Sequence, residues 1–202
     1  MGCVRTGFNS QHPDQMFSQN LVGLLKKGKI VVLPTDTLYG IHTPASNKES
    51  VEKVYEIRGR APEKPFIILI GSIEQLKLFN IEVDTEAEKI LNKYWPGKVS
   101  IILPCPEEKF AYLHRGTKTL AFRLPNKTDL IDLLKQTGPL ITTSVNPEGL
   151  EPAKTIEECK KYFGEEIDFY VDEGKLDSLP STLISISGGK ITVLRQGEVK
   201  IE

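Results

Sequence analysis

Three cations crowd one short stretch of the chain. Arg58, Arg60 and Lys64 fall within seven residues, Arg58-Gly59-Arg60-Ala61-Pro62-Glu63-Lys64. Guanidinium forks match phosphate oxygens, and a glycine between them lets a ligand approach the backbone. The competing reading is a set of solvated charges that complement the negative end of a preceding helix. That reading accounts for one arginine better than for three cations ahead of an apolar run. A second cluster, Thr35-Asp36-Thr37 within residues 34–40, places two hydroxyls and a carboxylate on a tight turn. Such a turn can hold a small zwitterion, or simply close on itself. A third lies in residues 119–124, where the strand period of two puts Thr119, Ala121 and Arg123 on one face. Four residues of extended chain separate Thr119 from Arg123 by about 13 Å, at ~3.3 Å per residue, so a hydroxyl and a guanidinium can line one anion-holding cavity across a small residue. Thr142, Ser144 and Asn146 form a fourth polar cluster, and Ser181 and Arg195 lie beside the last strands.

Other chemistries lack their residues. His12, His42 and His114 are scattered, and neither a Gly-x-Ser-x-Gly elbow nor a Cys–His pairing supports a covalent nucleophile. There is no phosphate-binding glycine loop, so a nucleotide site here must use discrete side chains. Cys3, Cys105 and Cys159 have no metal-ligand spacing and read as reduced thiols, with no zinc site and no disulfide framework expected. The 202 residues carry 26 basic and 27 acidic side chains, a net charge of −1, which does not suit a chain that coats duplex nucleic acid. The longest apolar run, residues 66–70, is far short of the roughly 20 needed to span a bilayer. Residues 1–5 hold no apolar signal core, so a cytoplasmic protein is expected. Gly2 with Thr6 fits the outline of a myristoylation site, a pattern too short to carry weight.

The elements that must position these clusters alternate between helix and strand. Leu21, Leu24 and Leu25 recur at helical spacing before Gly28, and an apolar strand follows at 30–33. Asn47 caps a helix that carries Val51, Val54 and Tyr55 and ends at Gly59. A buried strand follows at 66–70. Thr85-x-x-Glu88 reads as a capping box opening a helix through Tyr94, and Thr155-x-x-Glu158 opens a second through Tyr162. A helix carries Leu130, Ile131 and Leu134. Further strands are expected at 99–103, 119–124, 140–144, 169–171, 183–187 and 191–194, the last two joined across Gly188-Gly189. Hairpins mixed with helical crossovers make this an α/β domain with a mixed sheet.

Taken in chain order, the segments resemble the YrdC-like threonylcarbamoyl-AMP synthase family. PTDTLYG at 34–40, RGRAPEKPF at 58–66, WPGKVSIILP at 95–104 and TLAFRLP at 119–125 carry the resemblance, with TTSVN at 142–146, PSTLISIS at 180–187 and LRQG at 194–197. It runs from about Gly28 to Val199. It implies an α/β fold in which a twisted mixed β-sheet with flanking helices surrounds a deep basic cavity. It also implies one YrdC-like domain over 1–202, the short form without a C-terminal addition, with residues 1–12 a loosely ordered extension. The implied reaction converts L-threonine, bicarbonate and ATP to threonylcarbamoyl-AMP and pyrophosphate. The product would pass to a tRNA threonylcarbamoyl transferase complex, and a weak tRNA contact by the chain itself is compatible with this.

Carried over by position, the resemblance makes Arg58 and Arg60 the catalytic cations. It assigns Arg60, Lys64, Thr119, Ser144, Asn146 and Arg195 to ATP, and Thr35, Thr37, Arg123, Thr142 and Ser181 to threonine. Mg2+ is expected to arrive with ATP, without a protein cage of ligands. A threonine carbamate would attack the α-phosphate, so catalysis reduces to positioning and charge stabilisation, with no evident general base. Two departures stand out. The family's Lys-x-Arg is Arg58-Gly59-Arg60 here, and the serine of its Gly-x-x-Ser-Pro-Thr segment is missing from residues 149–155. They leave room for a paralogue that binds nucleotide or RNA without synthase activity. A dedicated RNA-binding module is a weaker rival, because its stacking aromatics would have to come from a chain only 7% aromatic.

Overall fold

The computed structural model describes residues 17–187 and 189–201. The N-terminal extension, with Gly2, Cys3, Thr6 and His12, lies outside the described residues. In chain order the elements are α1 (Gln19–Lys26), β1 (Val31–Pro34), β2 (Tyr39–Pro44), α2 (Lys48–Arg58), β3 (Ile67–Leu69), α3 (Thr85–Tyr94), β4 (Val99–Pro104) and α4 (Ala111–His114). There follow β5 (Thr119–Arg123), α5 (Thr128–Thr137), β6 (Leu140–Ser144), α6 (Ile156–Phe163), β7 (Phe169–Tyr170), β8 (Thr182–Ser187) and β9 (Lys190–Arg195). A 3-10 segment, Ile73–Phe79, follows β3. The nine strands of the described residues join one sheet in the order β7-β1-β2-β6-β3-β5-β4-β8-β9. It is mixed, as expected: β1/β7, β3/β5 and β4/β8 are parallel and the other neighbours antiparallel.

The sheet separates two apolar clusters. On one face Leu21, Leu25, Leu130 and Leu134 of α1 and α5 cover Val31, Leu33, Leu69 and Leu140. On the other, Val51, Val54, Leu91 and Cys159 belong to a larger cluster with Val32, Ile41, Ile68 and Phe122. The strand alternation predicts this division. The α1/α5 cover does not extend over the whole of its face, and the uncovered part carries the polar residues taken up below.

Three local readings change. Strand β2 has no counterpart in the sequence-based outline, because Gly40, His42 and Pro44 interrupt its apolar signal. Nevertheless all six of its residues are buried. Residues 35–38 are therefore the loop of a β1–β2 hairpin. The cap of α3 is Asp84, whose side chain accepts from Ala87 N at 2.7 Å, so Thr85 is the first helical residue. At α6, Thr155 does cap, accepting from Glu158 N, but Glu158 reaches back to Lys154 N rather than to Thr155.

Candidate active site

A cavity of about 410 Å³ opens over the uncovered part of the sheet. Its floor is one cross-strand row: the register aligns Thr142 of β6, Ile67 of β3, Ala121 of β5 and Ile102 of β4, and all four line the space. Thr119 and Arg123, two residues to either side of Ala121, line it as well, as the period-two reading of β5 requires. Ser144 lines it two residues beyond Thr142. Among the described residues three arginines, Arg60, Arg123 and Arg195, reach the wall, and no aspartate or glutamate does.

The Arg123 end is closed and heavily connected. Arg123 is 3% exposed. Its Nη1 donates to Thr37 Oγ1 at 3.1 Å and lies 3.2 Å from Asp36 Oδ1, while its Nε has no partner. Asp36 is fixed in turn by Asn126 N, which donates to its other oxygen at 3.0 Å. Thr35 closes the hairpin loop: its hydroxyl donates to Leu38 O at 2.8 Å and accepts from the backbone N–H groups of Thr37 and Leu38. Burial lowers the Arg123 pKa, Asp36 raises it, and Arg195 lowers it again. A buried guanidinium with one carboxylate and an idle N–H suits an incoming carboxylate or carbamate oxygen.

The rest of the wall is more open, with Arg60 toward the Thr119 end and Arg195 beside Ser181 on the cross-strand row of Arg123. Arg60 donates from Nε to Lys64 O at 3.0 Å and from Nη2 to Pro65 O at 3.2 Å, and sits over the Phe66 ring. Arg195 is solvent-exposed as a residue, yet its guanidinium rests against Ser181, donating to Ser181 O at 2.9 Å and to Ser181 Oγ at 3.3 Å. Ser181 is anchored by Ser100, hydroxyl to hydroxyl at 2.9 Å. Partial desolvation and then the charge of Arg60 hold Arg195 below the ordinary arginine range. Desolvation lowers Arg60 too, opposed by Tyr55 and Glu148. Like charges gathered along a wall on which no described residue is a carboxylate make a place for an anion.

Three expected site residues do not reach the wall. Arg58 is 4% exposed, and it donates to Asn146 O at 2.7 Å and to Thr143 Oγ1. Thr143 alternates with Thr142 and Ser144, so Arg58 braces β6 from behind the floor. Desolvation first, then Arg60, lowers its pKa to about 10. Asn146 is folded into its own turn, accepting from Ser144 Oγ at 2.6 Å and donating to Leu150 O at 2.7 Å. Lys64 is paired with Glu148, which also accepts from Ala61 N at 2.6 Å. The other expected residues, Thr35, Thr37, Arg60, Thr119, Arg123, Thr142, Ser144, Ser181 and Arg195, all line the cavity.

Two residues at the site carried no signal in the chain. Glu148 clamps the 61–64 segment across 84 to 87 residues of sequence. His42 is fully buried with Nε2 3.0 Å from Thr142 Oγ1. Only the pairing of β2 with β6 reveals its role, and β2 itself was not legible.

Comparison with known proteins places the geometry in context. Residues 23–197 match the Sua5/YciO/YrdC family model, described as "Telomere recombination". The chain is 30% identical over 184 residues to the threonylcarbamoyl-AMP synthase of Hahella chejuensis, covering 89% of this chain and 98% of that one. It is 29% identical over 182 residues to the Pyrococcus abyssi threonylcarbamoyl-AMP synthase, covering 89% of this chain and 54% of the other. The chain thus spans about half the length of that larger relative. The crystal structure of P. abyssi Sua5 complexed with L-threonine superposes with a TM-score of 0.80 at 29% identity, over 87% of this chain and 52% of that chain.

Proposed function

Because the chain belongs to the Sua5/YciO/YrdC family, we propose that it is an L-threonylcarbamoyladenylate synthase, a nucleotidyltransferase. It converts L-threonine, bicarbonate and ATP to threonylcarbamoyl-AMP and pyrophosphate for tRNA modification. The observation that carries this reading is the two-ended cavity. A buried guanidinium and hydroxyls lie at the Arg123 end, Arg60 lies toward the other across a small-residue floor at Ala121, and Arg195 is close enough to both for the charges to act on one another.

Arg123 and Thr37 bind the carboxylate and carbamate oxygens of the amino acid. Arg60 and Arg195 face the phosphates and gain most where charge builds on the transferring phosphoryl group. Thr119 and Ser144 supply hydroxyls on the nucleotide side. Arg58 and Asn146 act from behind the floor, as the brace that shapes the Ser144–Leu150 turn. Magnesium belongs to this reading as part of the nucleotide substrate. Among the described residues no group of three or more His, Cys, Asp or Glu could hold a metal ion, and the wall offers it no carboxylate. The product then passes to a tRNA threonylcarbamoyl transferase, with a cytoplasmic location and a single functional domain as parts of the same proposal. No helix among the described residues is long and apolar enough to cross a membrane.

Incubation with ATP, magnesium, bicarbonate and L-threonine tests it, scoring pyrophosphate and the adenylate. Release that requires both threonine and bicarbonate is expected, with serine a weaker substrate because one lost methyl in a fitted pocket is worth only ~1–3 kcal/mol. Release indifferent to threonine, or none from folded protein, would assign the chain to a paralogue without this activity.

A further inference from the structure

Strand β2 brings a histidine to the edge of the cavity floor that the reaction as described does not use. The register pairs His42 with Thr142, so both side chains stand on the same face, and His42 extends the row Thr142–Ile67–Ala121 by one position. His42 is 0% exposed and does not line the cavity; Thr142, at 8%, does. The imidazole fits there because residue 40 is glycine. A Cβ at Gly40 would lie 2.6 Å from His42 Cε1 and 2.8 Å from Thr142 Oγ1. The glycine of the 34–40 segment, already inside β2, therefore makes room for a ring.

The hydrogen bond between His42 Nε2 and Thr142 Oγ1 can run either way, and the direction decides what Thr142 offers a ligand. If Thr142 donated to Nε2, the ring proton would sit on Nδ1, a buried atom with no partner. Orphaned buried N–H groups are rarer than under-satisfied acceptors. The economical arrangement puts the proton on Nε2 and leaves Nδ1 a bare lone pair. Thr142 Oγ1 then accepts from the ring, and its own proton is free to point into the cavity.

Resting on the synthase reading above, we propose that His42 is a positioning residue that turns the Thr142 hydroxyl into an obligate donor toward an acceptor oxygen of the bound amino acid. A neutral ring is required, because an imidazolium would place a charge in a dry site facing Arg123. Burial favours neutrality, lowering the His42 pKa to about 3; the Gly40 backbone pulls the other way, and Arg123 adds to the lowering.

Two measurements test this, and the first does not depend on turnover. Long-range 1H–15N correlation spectra of histidine-labelled protein should show His42 as the Nε2–H tautomer, unchanged from pH 5 to 8. An Nδ1–H tautomer, or titration near pH 6.5, would overturn the proposal while leaving the synthase reading intact. The second is a kinetic cycle. His42→Leu and Thr142→Val should each raise the threonine KM about tenfold, with kcat and the ATP KM changed less than twofold. The double variant should be no worse than either single. His42→Gln, whose amide N–H can reach Thr142, and Thr142→Ser should restore most of the loss. Additive effects, or a fall in kcat without a change in KM, would make His42 only a packing residue. If His42→Leu does not fold, the Gln and Ser variants and the spectra still decide the matter. Wild-type protein without threonine-dependent turnover would instead sink the synthase reading, whatever the tautomer.

Discussion

The cavity holds its cations in two opposite ways. At the Arg123 end a cation is 3% exposed, paired with Asp36, bonded to Thr37 and backed by a self-closed hairpin loop. Around Arg60 and Arg195 the cations are held by backbone carbonyls, those of Lys64 and Pro65 and that of Ser181, and among the described residues no carboxylate lines the wall, the carboxylate charge acting on Arg60 being that of Glu148 behind it. The first end is a pre-built socket whose charge is partly satisfied before any ligand arrives. The second is an unsatisfied positive field that gains most when polyanionic phosphate enters. One cavity can therefore bind a small zwitterion through geometry and a nucleotide through charge.

The largest effect is expected where charge stabilisation is concentrated. Arg60→Ala should abolish threonine-dependent pyrophosphate release, by a factor of about 10³ or more, the scale seen when a transition-state charge clamp is removed. The fold should survive, because Arg60 is only partly buried and its bonds are to neighbouring backbone. Activity near wild type would reduce Arg60 to a helix-end charge and break the comparison at its open end.

Arg123→Ala should fail differently. It leaves Asp36 buried beside an empty space, so a loss of about 3–5 kcal/mol in denaturant stability is expected. What activity remains should show a threonine requirement raised far more than the ATP requirement. Thr119→Ala should do the reverse and more mildly, raising the ATP KM about 2–10-fold, the worth of one hydrogen bond. A threonine dependence unchanged in Arg123→Ala would show that the two ends are not divided between the two substrates.

The remaining effect is a slope, small at any one pH near neutrality. His42 has a folded pKa of about 3 against 6.5 for an ordinary histidine. Its contribution to stability is fully present above about pH 6.5 and is lost as pH falls toward 3, because the unfolded chain binds the proton first. Chemical denaturation should give a component of about 1.4 kcal/mol per pH unit between those limits, missing from His42→Gln. An identical slope in the variant would mean that the ring is not held neutral by burial.

What could be read from the chain, and what could not, follows from the range of the interactions. Thr119, Ala121 and Arg123 were legible as one face, because a strand's period depends only on its own residues. The polar segments 34–40 and 142–146 were legible because they interrupt apolar strands. Arg58 and Arg60 looked equivalent, two cations two residues apart. Between them Gly59 takes φ 58 and reverses the chain as α2 ends. Arg58, the last helical residue, is carried behind the sheet to a carbonyl 88 positions away, while Arg60 reaches the cavity. No local rule predicts that partner. Strand β2 was hidden for a related reason: its edges are paired by β1 and β6 and helices α1 and α2 pack against it, while its own residues include Gly40, His42 and Pro44.

The division of labour between the two ends is tested most directly by calorimetric titration of L-threonine into nucleotide-free protein, comparing wild type with Arg60→Ala and Arg123→Lys. A socket built in advance predicts that threonine binds without ATP, that Arg60→Ala binds it within about twofold of wild type, and that Arg123→Lys, which keeps charge but loses the fork, weakens it at least tenfold. Threonine binding that appears only with ATP present, or that disappears in Arg60→Ala, would contradict the account.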